Sequence, residues 1–339
     1  MMIEFKEEPH GLTHDNKIGN IRALAIFIVV LGHSIIIFDT SWGVYSSPYE
    51  SIFLDELKRY INYIQMPLFV FVSGYCFHYS AGKPFAEFAV KKFRRLIVPL
   101  IAVGAFWMIP IRIIIHYNGF SWENYGYLLF NVLIYGRDNG HLWFLGSSFL
   151  MMIIFYFLSR VIRNNKIEEA VIGIVLLGIS LASSHFPSMF AATYIRNMIK
   201  YFCWFYFGYV FHRYFSKKII PIRYGFFWGI LFVAIGMAAK GVRDYAFGEG
   251  LMEILVGVIG IMTIFILIPE KTNRFVEQIE KHSFGIYLFH SPLVYISYSK
   301  LNWLKPFPMT FLNLAGWGVC AYVITDLLKG TRLKWMIGE

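Results

Sequence analysis

The chain has 339 residues, of which 57% are hydrophobic, 19% aromatic and only 15% charged, with a mean hydropathy of +0.55. Soluble proteins hold roughly 45–50% apolar residues, so this composition excludes an ordinary soluble enzyme and describes a polytopic membrane protein. The net charge of +10 would suggest a nucleic-acid partner in a soluble domain; here it is read by its distribution.

Residues 1–17 mix charges of both signs and lack a small-residue cleavage pattern, which predicts a cytosolic leader rather than a secretory signal peptide. Apolar blocks then follow near residues 18–38, 62–79, 96–115, 142–160, 168–184, 198–211, 221–239, 251–268, 284–298 and 309–328. Several reach the ~20 residues that a helix needs to cross ~30 Å of hydrocarbon. The expectation is an all-α architecture of about ten transmembrane helices, with a single membrane domain over 18–328 and a short tail over 329–339. With the N-terminus inside, about twenty Lys and Arg fall on the cytoplasmic side and about nine on the other, which places both termini in the cytoplasm. Basicity is therefore topology, and no nucleic-acid partner is expected.

The first block carries Arg22 and His33 in the run RALAIFIVVLGH. Eleven positions on a helix advance ~20° past three turns, so the two side chains share one face about 16 Å apart. A charged side chain at mid-membrane costs about 2.5–3.5 kcal/mol on insertion scales, so this face should look into protein or a wet cavity. The competing reading makes Arg22 a cation snorkelling from the helix end and His33 a satisfied core histidine.

The second block, QMPLFVFVSGYCF, contains Pro67, which lacks an amide donor, and Ser73-Gly74, which permits close packing, expected beside the first helix. Ahead of the third block, Lys83, Lys91, Lys92, Arg94 and Arg95 form a basic mouth suited to phosphate or anionic headgroups. An outer segment from Phe120 to Gly140 leads to His141 and Trp143; an interfacial aromatic belt explains Trp143 but not His141. Near the C-terminus, SFGIYLFHSP puts Tyr287 and His290 three apart on one helix face. Cys76, Cys203 and Cys320 lie in separate blocks, and neither a disulfide framework nor a metal site is expected. No Walker loop, dinucleotide fingerprint or nucleophile elbow is present, so chemistry must be built from helices and loops.

Taken in order, Arg22 and His33, Met66-Pro67-Leu68-Phe69 through Ser73-Gly74-Tyr75, Lys92-Phe93-Arg94-Arg95-Leu96 with Pro99, His141-Leu142-Trp143-Phe144-Leu145, Phe207-Gly208-Tyr209 and Ser283 through His290 form a pattern. It resembles the acyltransferase 3 family of membrane acyltransferases, which modify bacterial surface glycans. The basic motif departs from the family in its closely spaced arginines.

The resemblance implies a cytosolic acyl-CoA donor, usually acetyl-CoA, and a glycan or lipid-linked sugar hydroxyl as acceptor on the outer face of a bacterial cytoplasmic membrane. Membrane lipids would be partners, and a homodimer is compatible with this reading. Arg22, Lys92, Arg94 and Arg95 would hold the nucleotide end of the donor. His33, with an unperturbed pKa near 6.5, is the candidate general base, although an acyl-histidine intermediate is a second route. Ser73, His141, Trp143, Tyr287 and His290 are weaker candidates for oxyanion or acceptor contacts. Asp39, Glu50 and Asp55 are candidates to orient the ring or bind sugar hydroxyls, against the ordinary reading of exposed loop acids as solvated. Two other classes fit an intramembrane Arg and His: a secondary transporter, which should show two related halves with broken helices, and a non-enzymatic subunit of a polysaccharide-export assembly.

Overall fold

The computed structural model describes residues 16–162, 165–183, 193–216, 220–239 and 246–339. Most of the leader, together with Arg163, Lys217, Lys218, Lys240 and Arg243 from the charge count, lies outside the described residues. Among those described, all regular structure is helical.

Eleven helices are described. They are α1 (Asn16–Ser34), α2 (Ile52–Tyr75), α3 (Phe85–Ile114), α4 (Tyr125–Ile134), α5 (Gly140–Val161), α6 (Lys166–Ala182), α7 (Thr193–Phe215), α8 (Ile222–Ala238), α9 (Ala246–Leu267), α10 (Arg274–Lys300) and α11 (Pro306–Lys329). Each expected apolar block contains a helix. The additional one, α4, lies in the segment read as an outer connection and packs back on α3, where Tyr125 Oη donates to the Ala105 carbonyl at 2.7 Å.

Among the described residues, five helical spans are long and apolar enough to cross a bilayer: Asn16–Ser34, Phe85–Ile114, Gly140–Val161, Gly248–Leu267 and Pro306–Lys329. The expected count of ten is not matched by length and apolarity alone. The difference has a physical source. Helix α2 carries Asp55, Glu56, Lys58 and Arg59 in its first turns and α10 carries Glu277, Glu280 and Lys281, so both dilute their apolar stretches, while α6 and α8 stop at 17 residues.

The core is built by α1 packed between α2 and α10, with α7 on the other side of α2 and α11 on the other side of α10. Close approach rests on glycine. A Cβ on Gly74 would stand 1.9 Å from the Phe205 carbonyl oxygen, and one on Gly208 2.0 Å from that of Phe71, so α2 and α7 touch backbone to backbone. The Ser73-Gly74 step therefore serves the contact with α7 rather than the expected one with α1. Side-chain caps fix two long helices at their starts: Ser51 accepts from Leu54 N before α2, and Asn273 accepts from Val276 N before α10.

Two π-helical turns interrupt α3, at Phe93–Ile97 and Gly104–Met108. The first falls on the basic motif and shifts its register by a wider turn. The end of the bundle at which α1 begins, carrying Lys92, Arg95, Lys281 and Lys329, is the basic end; the end at which α1 stops is the distal end.

Candidate active site

A cavity of about 350 Å³ opens at the basic end among α1, α2, α3, α5, α10 and α11. Arg22, Lys92, Arg95, Lys281 and Lys329 face it, against the carboxylates of Glu280 and Glu339. The Arg22 guanidinium pairs with Glu280 at 3.1 Å and donates to Cys76 Sγ at 3.1 Å, so it is held in the cavity wall rather than snorkelling to lipid. Lys92 and Arg95 lie three residues apart across the π turn and meet the same cavity, whereas Arg94 is exposed and does not line it. The inner wall becomes apolar and aromatic, with Phe69, Phe144, Met152 and Tyr287.

Beyond that wall, three histidines from three helices converge. Their ring centroids are separated by 4.9 Å for His33–His290, 5.4 Å for His141–His290 and 6.3 Å for His33–His141. The backbone partners assign their protons, because a carbonyl oxygen can only accept. His290 Nδ1–H donates to the Ile286 and Tyr287 carbonyls, each at 2.9 Å. Its Nε2 is thereby left as an acceptor. His33 Nδ1–H donates to Val29 O at 2.9 Å and faces His290 Nε2 at 3.3 Å. The neutral His33 ring then carries its lone pair on Nε2, and the ring is partly exposed. His141 is buried; its Nε2–H donates to Leu288 O at 3.0 Å, and its Nδ1 has no partner among the described residues.

The turn that delivers His141 is pinned by Arg112. This buried guanidinium donates to the Asp138 carbonyl and lies 4.6 Å from the Tyr117 ring centroid and 5.5 Å from that of Tyr295. Gly140 has φ +54°, and a Cβ there would come 2.9 Å from the Arg112 side chain, so both backbone and space require glycine.

Several expected partners are redirected. Asp39, Glu50 and Asp55 line a surface pocket of the distal loop, and Val29 and His290 rather than these acids orient the His33 ring. The polar hydrogens of three oxyanion candidates are committed to carbonyls: Ser73 to Phe69, His141 to Leu288 and Tyr287 to His141. Trp143 stacks on Tyr201 with ring centroids 5.4 Å apart. The sequence reading missed Glu280, Ser148 and Gln65. Ser148 Oγ, in the wall of the basic-end cavity, and Gln65 Oε1 are buried without a partner among the described residues.

Among the described residues, no group of three or more His, Cys, Asp or Glu side chains is placed to hold a metal ion. No curated protein and no solved structure matches the chain significantly. The acyltransferase 3 family model, an acyltransferase domain, matches residues 15–327 and so takes in every helix described above except the last two residues of α11. The chain belongs to the acyltransferase 3 family and is a membrane acyltransferase.

Proposed function

We propose that the protein moves an acyl group, most simply acetyl, from cytosolic acyl-CoA to a hydroxyl of an extracytoplasmic polysaccharide or lipid-linked sugar, with His33 as general base. The observation that carries this reading is the His33 ring: Nδ1–H is tied to Val29 and His290, leaving a lone pair on Nε2, and Tyr287 joins the histidine cluster to the wall of the cation-lined cavity.

Five cations against two carboxylates suit the phosphates of coenzyme A, and arginine forks suit them best. The nucleotide would rest on Arg22, Lys92 and Arg95, and the narrow pantetheine arm would run along α1 past Phe69 and Tyr287. Arg22 to His33 on α1 and Glu280 to His290 on α10 run side by side over about 15–16 Å, a suitable reach for such an arm. The acceptor hydroxyl gives its proton to His33 Nε2 as its oxygen attacks the thioester carbonyl carbon. The tetrahedral intermediate then collapses, the C–S bond breaks, and the thiolate takes the proton back from Nε2.

The test uses purified protein in lipid nanodiscs with labelled acetyl-CoA and surface glycan. Wild type should transfer label and His33→Ala should not, at equal protein levels. Equal transfer by the variant would remove His33 from the chemistry.

A further inference from the structure

A second cavity, of about 510 Å³, opens on the distal side between α2, α6, α7 and α9. Helix α2 contributes to both cavities: Asn62, Tyr63, Gln65, Met66 and Pro67 line the distal one, and Phe69, Val72, Ser73 and Cys76 the basic one. The two linings succeed one another along α2, and Gln65 packs against Gly32 of α1.

Its lining differs in kind from the basic-end cavity. Tyr63, Tyr201 and Trp204 supply ring faces, and Tyr201 is held in place by the stacked Trp143. Asn62, Gln65 and Asn197 supply amides, and Lys200 pairs with Glu253 at 3.5 Å beside Arg196. Flat aromatic surface with amides and a paired charge is the chemistry that receives a sugar ring, whose C–H faces stack and whose hydroxyls both donate and accept. An acyl-CoA phosphate would instead meet the Glu253 carboxylate and fewer cations than at the basic end.

Gln65 ties the cavity wall to α1. Its Nε2 donates to Asn62 Oδ1 at 3.0 Å, and Asn62 Oδ1 also accepts from the buried Lys58 ammonium, so the amide is oriented. Its Oε1 is sealed from solvent, and a Cβ on Gly32 would stand 2.5 Å from it, so this oxygen is seated against the α1 backbone one residue before His33.

The geometry points to the distal cavity as the acceptor site, in which a saccharide lies against the rings of Tyr63, Tyr201 and Trp204 and meets the amides of Asn62 and Asn197. This rests on the acyltransfer reading above and adds to it the place and the groups that hold the sugar.

Leu181→Cys puts a thiol in the cavity wall away from the histidines and from the rings and amides, and a membrane-impermeant thiosulfonate reagent then fills the space. The unmodified variant should transfer acetyl to glycan as wild type does. Modification should reduce transfer at least tenfold while leaving acetyl-CoA binding unchanged, and surface-polysaccharide fragments should slow the labelling. Tyr201→Ala should raise the acceptor KM at least tenfold with the donor KM unmoved, and Tyr201→Phe, which keeps the ring face, should recover most of the loss. Full transfer by the plugged protein, or labelling unaffected by saccharide, would overturn the site. Failure of unmodified wild type to transfer acetyl at all would strike the acyltransfer reading instead, and protection of the introduced thiol by saccharide would still report on the cavity.

Discussion

At the scale of single residues, the proposed mechanism divides the work between His33 and Arg22 along one face of α1. Loss of the imidazole in His33→Ala should lower transfer by at least the 10²–10⁴-fold typical of a general base, with donor binding retained; this is read by single-turnover acetyl transfer beside equilibrium acetyl-CoA binding. In the same mechanism His290 acts through His33. His290→Ala should lower kcat without raising the donor KM, and His290→Asn should restore less than wild type, because the shorter side chain cannot hold the His33 ring at the same distance. Arg22, Lys92 and Arg95 are proposed to hold the donor in ground and transition states alike, so neutralising them should raise the acyl-CoA KM more than it lowers kcat. Arg94→Gln should leave that KM within about twofold of wild type, since Arg94 does not line the cavity. The Arg22–His33 stripe was legible in the sequence because helical period alone fixes a shared face. The choice of Arg95 over Arg94 was not, because it depends on the π turn at Phe93–Ile97.

At the scale of elements, glycines and one arginine set the site's framework. The α2–α7 crossing leaves no room for Cβ atoms, so Gly74→Ala or Gly208→Ala must separate the two backbones. Overpacking of this kind costs about 1–3 kcal/mol, which should appear as a lowered Tm in detergent and loss of activity; an unchanged Tm would show that the crossing can relax. Gly74 and Gly208 stood out in the sequence as small residues in apolar helices, but periodicity could not say which helix each would meet. Likewise His141 was conspicuous as a poor belt residue, yet its delivery by Arg112 through Asp138 and Gly140 rests on a left-handed turn between two helices. Helix α4 escaped notice for a different reason: it is apolar, but at ten residues it is half the length of a membrane-crossing block.

At the scale of the whole molecule, two hollows of opposite character are lined by successive stretches of α2, and Gln65 of the distal one packs against Gly32, the chain neighbour of His33. The basic-end cavity gathers cations from α1, α3, α10 and α11, and the distal one gathers rings and amides from α2 and α7. Composition and charge distribution disclosed a helical membrane protein with a basic side. They could not disclose the cavities, which exist only where residues distant in sequence meet. In the proposed mechanism a charged donor and a polar acceptor react without either crossing the hydrocarbon. In sealed vesicles of defined orientation, labelled acetyl-CoA supplied at the basic face should place its acetyl group on glycan confined to the distal face, with free CoA released at the basic face. Label crossing as intact acetyl-CoA, or acetylation only when both substrates share the basic face, would contradict transfer across the bilayer.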